Sequence, residues 1–348
     1  MNICKLGDIA KFTTGKLNSN AAQDNGKYPF FTCAPEALKI DDYAFDTEAI
    51  ILAGNNADGN FHIQHFKGKF NAYQRTYVIE SSDENKVYTK YLYYALKTCL
   101  LHFKQISQGS ATKFLTAKIL NSFELPIPEI EIQKKIAGTL GNLDKKIKTN
   151  EAINENLADQ AQAIYQQFFL TEADPNWPFG HLSDLINVKY GKDHKKLADG
   201  VYPVYGSGGI MRYVERPLYE KESVLIPRKG TLNNVMYVNQ PFWSVDTMFY
   251  TEMKQTNVAK FVYHFVKSKD LASMNAGSAV PSMTTAILNA LELRIPSAEA
   301  LLQFENSVAP MYEMMKKNED QSRKLTELRD ALLPKLMSGE IDVSDLDL

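Results

Sequence analysis

"LPIPEIEIQKKI" occupies Leu125–Ile136, and "LRIPSAEALLQF" occupies Leu293–Phe304, 168 positions further on. Both passages follow one path: a short apolar run, an Ile-Pro step, then helical spacing. The likeness extends outward. Gly109–Pro128 aligns without gaps to Gly277–Pro296, with eleven identities in twenty positions. Upstream, Leu6–Lys16 matches Leu182–Lys192, and Lys27–Ala34 matches Val201–Gly208. Glu48–Gly54 matches Glu222–Arg228, and Phe70–Ile79 matches Phe242–Thr251. The offset drifts from 176 to 168, as small deletions in surface loops produce. The chain is one supersecondary unit written twice.

Downstream of each Pro, the apolar positions fall at alternating intervals of four and three. The first stripe is Ile136, Leu140, Leu143, Ile147, Asn150, Asn154, Leu157, Ala161, Ile164 and Phe168. Adding 168 gives Phe304, Val308, Met311, Met315, Asn318, Ser322, Leu325, Arg329, Leu332 and Leu336. This is coiled-coil spacing, with one charged exception at Arg329. The second stripe is expected to run without a proline break as far as Pro334. An antiparallel pairing would bury both stripes and set Asn150 and Asn154 near Ser322 and Asn318. Polar pairs in an apolar seam fix register at some loss of stability.

Upstream of each stripe lie β-like runs rich in Tyr, Phe, Val and Ile, punctuated by Gly and Asn. A helix is expected over "KYLYYALKTCLLHFKQ" (Lys90–Gln105) and over "VAKFVYHFVKSKDLASM" (Val258–Met274). Each half reads as α+β, built on a twisted, mostly antiparallel sheet. The expected layout is domain 1 (1–130), long helix 1 (131–170), domain 2 (171–299), long helix 2 (300–340) and an acidic tail (341–348), with pseudo-twofold symmetry. Residues 131–169 as one helix measure about 58 Å at ~1.5 Å per residue. Two similar readers on a rigid spacer suit a ligand with two separated recognition elements, of which duplex DNA is the obvious candidate.

Composition sets the bounds. The chain has 348 residues, 44% hydrophobic and 23% charged, with net charge −2. That is a globular composition with room for more than one domain. A near-neutral chain binds nucleic acid through basic groups clustered on one face or with charge supplied by partners. No apolar run is long enough to span a bilayer. "MNICKLGDIAKF" carries no signal-peptide core, so a cytoplasmic location away from any membrane is expected. Cys4, Cys33 and Cys99 are too widely spaced for a metal knuckle or a disulfide framework.

The order of the parts resembles the specificity subunit of type I restriction–modification systems. The stretches that carry it are "GDIAKFTTGK", "YPFF", "NAYQRTYVI", "GSATKFLT", "LPIPEIEIQKKIAGTLGNLDKKI" and the ending "LRDALLPKLMSGEI". The resemblance covers nearly the whole chain. It implies two target-recognition domains, each reading one half of a bipartite double-stranded DNA sequence. It implies that the paired helices set the gap and dock two methyltransferase subunits, with restriction/translocase subunits joining that core. S-adenosylmethionine, ATP and Mg would then belong to the partners, and this chain would hold no cofactor and do no chemistry. An adaptor joining two protein-binding domains fits the repeat and the stripes equally well.

A search for chemistry agrees with a non-catalytic chain. Asp174-Pro175-Asn176-Trp177 lacks the second Pro of an adenine methyltransferase loop. "YGSGG" (Tyr205–Gly209) opens no G-x-G-x-x-G helix, and Thr14-Gly15-Lys16 lacks the upstream Gly of a P-loop. His62 and His65 have no further metal ligands at suitable spacing.

Base readout needs paired donors and acceptors on loops that fit a groove. In domain 1 the candidates are Asn55, Asn56 and Asn60 of "GNNADGNFH", and Gln74 and Arg75 inside a strand-like run. Gln108 and Lys113 of "SQGSATK" complete the set. In domain 2 they are Ser207, Arg228, Lys229, Thr231, Asn233 and Asn234. Asp246 and Thr247 replace Gln74 and Arg75. Each of these also has a plainer reading, as a polar loop or the solvated face of a strand.

Overall fold

A computed structural model describes residues 2–274 and 282–343. The second GSA stretch, Gly277–Ala279, and the end of the acidic tail, 344–348, lie outside the described residues. The chain forms two compact units, Met1–Asn150 with Asp320–Leu348, and Glu151–Glu319.

In the first unit the strands are β1 (Asn2–Lys5), β2 (Ala10–Thr14), β3 (Tyr28–Phe31), β4 (Leu38–Ile40), β5 (Phe45–Ala53), β6 (Asn55–Asn56), β7 (Ile63–Ala72), β8 (Thr76–Ser81), β9 (Lys113–Phe114) and β10 (Glu124–Ile127). The helices are α1 (Leu6–Ile9), α2 (Thr89–Thr98), α3 (Leu100–Ile106), α4 (Ala117–Ser122) and the start of α5 (Ile130–Gln166). The main sheet runs β2-β8-β5-β7-β3-β4, antiparallel except at β3–β7. From Ala49 to Ala53, β5 is apolar on both faces, and both are covered. Ile50 and Leu52 pack with Tyr91, Leu92 and Leu96 of α2, while Ala49 and Ile51 join Phe31 and Phe70 on the opposite face. Lys90–Gln105 is not one helix. At Cys99 the chain tightens, with Cys99 N donating to Leu96 O, and the Thr98 hydroxyl and Cys99 thiol both donating to Ala95 O. That local competition for one carbonyl divides α2 from α3.

The second unit contains β11 (Phe179–His181), β12 (Ile186–Tyr190), β13 (Asp199–Gly206), β14 (Gly209–Val214), β15 (Ser223–Pro227), β16 (Met236–Val238), β17 (Trp243–Ser244), β18 (Met248–Met253) and β19 (Glu292–Arg294). Its helices are α6 (Leu182–Leu185), α7 (Ala259–Lys267), α8 (Thr285–Asn289) and the start of α9 (Ala298–Ser338). The sheets run β12-β18-β15-β16 and β14-β13-β17. α7 stops at Lys267, well short of Met274, and turns follow.

The sequence repeat recurs in hydrogen bonds. Leu6 N donates to Phe123 O at 2.7 Å, and Leu182 N donates to Leu291 O at 2.8 Å. The Thr116 and Thr284 hydroxyls cap α4 and α8, accepting from Ile119 N and Ile287 N. The parallel strand pairing Phe31↔Ala72 returns as Tyr205↔Ser244.

Both long stripes are helical. In the first unit, Ile136 and Leu140 of α5 share a core with Leu333, Leu336 and Met337 of α9. Leu143, Ile147, Leu325 and Leu332 are half-buried. Asn150 Nδ2 donates to Gln321 Oε1 at 2.9 Å and to Ser322 Oγ at 3.2 Å. The charged exception is answered here, since Arg329 Nη1 lies 2.8 Å from Asp144 Oδ1. Asp144 Oδ2 also accepts a hydrogen bond from the buried Tyr94 hydroxyl. Rising numbers on α5 meet falling numbers on α9, so these segments are antiparallel.

In the second unit, Asn318 Nδ2 donates to Asn154 Oδ1 at 2.8 Å, and Asn154 Nδ2 donates to Met315 O at 3.0 Å. Leu157, Met311 and Met315 are half-buried, while Ala161, Tyr165, Phe169, Phe304 and Val308 are buried. Buried His264 of α7 ties these segments together. It sits 2.7 Å from Gln162 Oε1 through Nδ1 and accepts from Tyr312 through Nε2 at 2.9 Å. Contrary to the expected absence of proline before Pro334, Pro310 falls inside the second stripe, yet α9 continues through it. Its ring faces outward, and the missing N–H removes only one bond of a long ladder. α5 ends in a π-helical turn at Gln167–Thr171.

Candidate nucleic-acid interface

At one end of the first unit's sheet, the segments following β2, β3, β5 and β7 converge through backbone bonds. Gly15 N reaches Thr76 O, Tyr73 N reaches Phe31 O, Gln74 N reaches Leu17 O, and Gly54 N reaches Arg75 O. Glycine is required at position 15, where a Cβ would stand 1.7 Å from Ala72 O. The second unit repeats the platform. Gly191 N reaches Met248 O, Val245 N reaches Tyr205 O, and a Cβ on Gly191 would stand 2.0 Å from Val245 O.

Gln74 and Arg75 do not lie on a strand. They form the turn between β7 and β8, and both are exposed. That turn brings them to Asn55, around a concavity of about 360 Å³ whose apolar wall is Tyr77, Phe114 and Leu115. Asn55 Oδ1 accepts from the Cys33 thiol at 2.8 Å, which fixes the amide plane. Gln74 Nε2 donates to Asn18 Oδ1 at 2.6 Å. Asn56 and Asn60 serve the loop itself. Asn56 Oδ1 accepts from the backbone of Asp58 and Asn60, and Asn60 Oδ1 accepts from Lys104 Nζ. The exposed Gln108 exchanges backbone bonds with Phe114, and half-buried Lys113 pairs with Asn56 across β6–β9.

In the second unit, "YGSGG" is the tip of the β13–β14 hairpin, with Gly209 at φ 111°. Asn234 Nδ2 donates to Ser207 O at 2.8 Å and ties that tip to the Arg228–Asn234 loop. The Arg228 guanidinium stands 5.7 Å above the Tyr190 ring. Arg228 N and Lys229 N both donate to Thr247 O, so the turn holding Asp246 and Thr247 abuts this loop. Lys229 and Thr231 are exposed. Asn233 faces elsewhere, donating to Asp270 Oδ1 and accepting from Ala272 N.

Three features were not among the sequence candidates. Phe114 is 42% exposed beside Asn55. Cys33 orients Asn55. The basic segment Lys192–Lys196 is anchored to the second platform, because Lys192 N donates to Ser244 O and Lys192 O accepts from Trp243 Nε1. Within it, the Lys195 backbone N–H holds the Asp193 carboxyl below the usual range. The charge run "KDHKK" was the available signal. His65 is 2.9 Å from Glu48 Oε1, and burial pushes its imidazole pKa down. No cluster of metal-binding side chains occurs among the described residues. No described helix is long and apolar enough to cross a membrane.

Amides, a guanidinium and ammonium groups on paired loop platforms are the chemistry of base-edge and phosphate readers. The chain belongs to the family of the type I restriction modification DNA specificity domain, whose model matches residues 1–159 and again 175–307. It is 37% identical over 169 residues to the type I restriction enzyme EcoDI specificity subunit of Escherichia coli, a match over 49% of this chain and 36% of that relative. A putative type I specificity subunit of Mycoplasma genitalium is 24% identical, over 92% of this chain and 89% of its own length. The fold is that of the crystal structure of a type I restriction-modification S subunit from M. genitalium, with TM-score 0.65 and 20% identity, covering 96% and 95% of the two chains. The chain is a specificity subunit with two DNA-recognition domains.

Proposed function

We propose that each platform reads one half of a bipartite duplex target and that the chain delivers adenine methyltransferase subunits to it. One observation carries this reading: the two platforms share their backbone bonds but differ in the groups they display. Asn55, Gln74 and Arg75 stand where the second unit has Lys229, Asp246 and Thr247. Two readers of different sequences need a common frame and unlike side chains. Arg75, Lys104 and Lys113 in one unit, and Lys192, Lys195, Lys196 and Lys229 in the other, supply phosphate contacts that a chain of net charge −2 otherwise lacks.

The paired helices set the unread gap and offer their outer faces to two methyltransferase subunits, through which restriction and translocase subunits join. S-adenosylmethionine, ATP and Mg are held by those partners. This chain catalyses nothing and works in the cytoplasm.

Long-read methylation mapping tests the proposal in cells carrying the cognate methyltransferase subunit with and without this chain. A bipartite adenine-methylation motif that depends on the chain is expected. A well-formed complex with active methyltransferase and no such motif would overturn the reading and leave an adaptor.

A further inference from the structure

The strand register at each platform points to the kind of base pair it reads. β6 and β9 form a two-stranded ribbon, the shape a major groove admits. In it Asn55 stands directly opposite Phe114. Directly opposed residues of antiparallel strands project from the same face. Both line the same concavity. In the second unit, the corresponding bridge joins Lys229 to Ser282. The correspondence is independent of that bridge, since offsets of 174 and 168 relate the flanking sequences.

We infer that the Asn55–Phe114 pair reads an A·T base pair, and that the Lys229–Ser282 pair reads a G·C base pair at the equivalent place in the other half-site. This rests on the DNA-reading function proposed above. An asparagine amide matches adenine bidentately, with Oδ1 accepting from N6–H and Nδ2 donating to N7. The Cys33 thiol, on Oδ1 at 2.8 Å, occupies one lone pair and holds the amide plane, leaving the second lone pair for the base. In the major groove the one apolar group on a base edge is the thymine methyl, and an exposed phenyl ring is a partner for it. Phe114, 42% exposed beside Asn55, places such a ring where the paired thymine would lie. Lysine has only donors and matches the two acceptors of guanine, O6 and N7. A serine hydroxyl opposite it tolerates the cytosine edge and offers the thymine methyl no apolar surface.

The test uses the full complex with methyltransferase subunits. Wild-type methylation mapping first defines both half-sites. Asn55→Lys with Phe114→Ser is expected to change one A·T position of the first half-site to G·C and to leave the second half-site intact. Lys229→Asn with Ser282→Phe is expected to do the reverse in the second. With the wild-type complex, deoxyuridine in place of thymidine at that A·T position removes only the methyl. The expected loss of affinity is about fourfold, from ~0.8 kcal/mol per buried methylene-sized group. A wild-type motif with no chain-dependent half-sites would overturn the function and this inference together. A bipartite motif whose half-sites ignore both exchanges, or a thymine whose methyl is dispensable at every A·T position of the first half-site, overturns this inference and leaves the function standing. For the Asn55–Phe114 assignment, the deoxyuridine arm decides even where an exchanged chain fails to fold.

Discussion

Asp144→Ala probes the one charged break in the apolar stripe. Arg329 Nη1 lies 2.8 Å from Asp144 Oδ1, and the Tyr94 hydroxyl donates to the other carboxylate oxygen. The two ionic side chains keep only 16% and 23% of their exposure. Tyr94 is 1% exposed, and burial with Asp144 beside it pushes its phenol pKa far up, so it stays a donor throughout the physiological range. Breaking a fully buried pair costs about 3–5 kcal/mol. With a fifth of the surface still wet, and Asp330 remaining 2.8 Å from Arg329, about 2–3 kcal/mol is expected. Arg329→Leu should cost less, about 1 kcal/mol, because it restores an apolar stripe position while Tyr94 keeps its acceptor. Asp144→Ala with Arg329→Leu should be more stable than the sum of the single changes predicts. Denaturant unfolding of the four chains, monitored in the first unit, measures the cycle. Strict additivity, or an Asp144→Ala loss below about 0.5 kcal/mol, would refute the claim that this contact holds α5 to α9.

Three further outcomes are expected. His264 is 2% exposed, neutral imidazole satisfies both of its partners, and burial pushes its pKa from 6.5 down to about 4. Between those values the unfolded chain holds the extra proton, so stability falls as pH drops from 6.5 toward 4, by about 3 kcal/mol in all; His264→Gln should flatten that slope in urea titrations. Gly15→Ala drives a Cβ to within 1.7 Å of Ala72 O, so methylation mapping should show loss of the first half-site alone, and Gly191→Ala loss of the second alone. Asn154→Leu removes the acceptor at 2.8 Å from Asn318 Nδ2 and should destabilise the second unit by about 1–2 kcal/mol, with Asn318→Leu added on top recovering most of the loss in thermal unfolding.

The duplication and both long helices were legible because their signals are long. A ten-position stripe with a shared offset leaves few alternatives to a paired helix, and it placed Asn150 by Ser322 and Asn154 by Asn318 correctly. Short signals were harder to read. "FNAYQRTYVI" looks like one strand, yet the chain reverses at Tyr73–Arg75, because β7 and β8 flank β5. "KYLYYALKTCLLHFKQ" has helical spacing throughout, but the side chains of Thr98 and Cys99 compete for one carbonyl and break it. Among loop polar groups, composition cannot say which way a side chain faces. Asn56 and Asn233 turn to their own loops, while Asn55, Gln74 and Arg75 meet around one concavity. Phe114 escaped notice because an aromatic residue is normally assigned to the core, and its exposure follows from a two-residue strand.

The first unit is sewn shut by a segment that follows the second. Leu333, Leu336, Met337 and Val343 belong to its core, whereas the second unit is a single unbroken stretch, Glu151–Glu319. During synthesis at about 5–20 residues per second, the earlier-made part of the first unit waits roughly ten to forty seconds for the segment that completes its core. The later-made unit can therefore close before the earlier one. Over that interval the apolar surface of α2 and α5 destined for α9 is open to chaperones and to neighbouring chains. Translation speed across residues 151–343 thus becomes a determinant of yield.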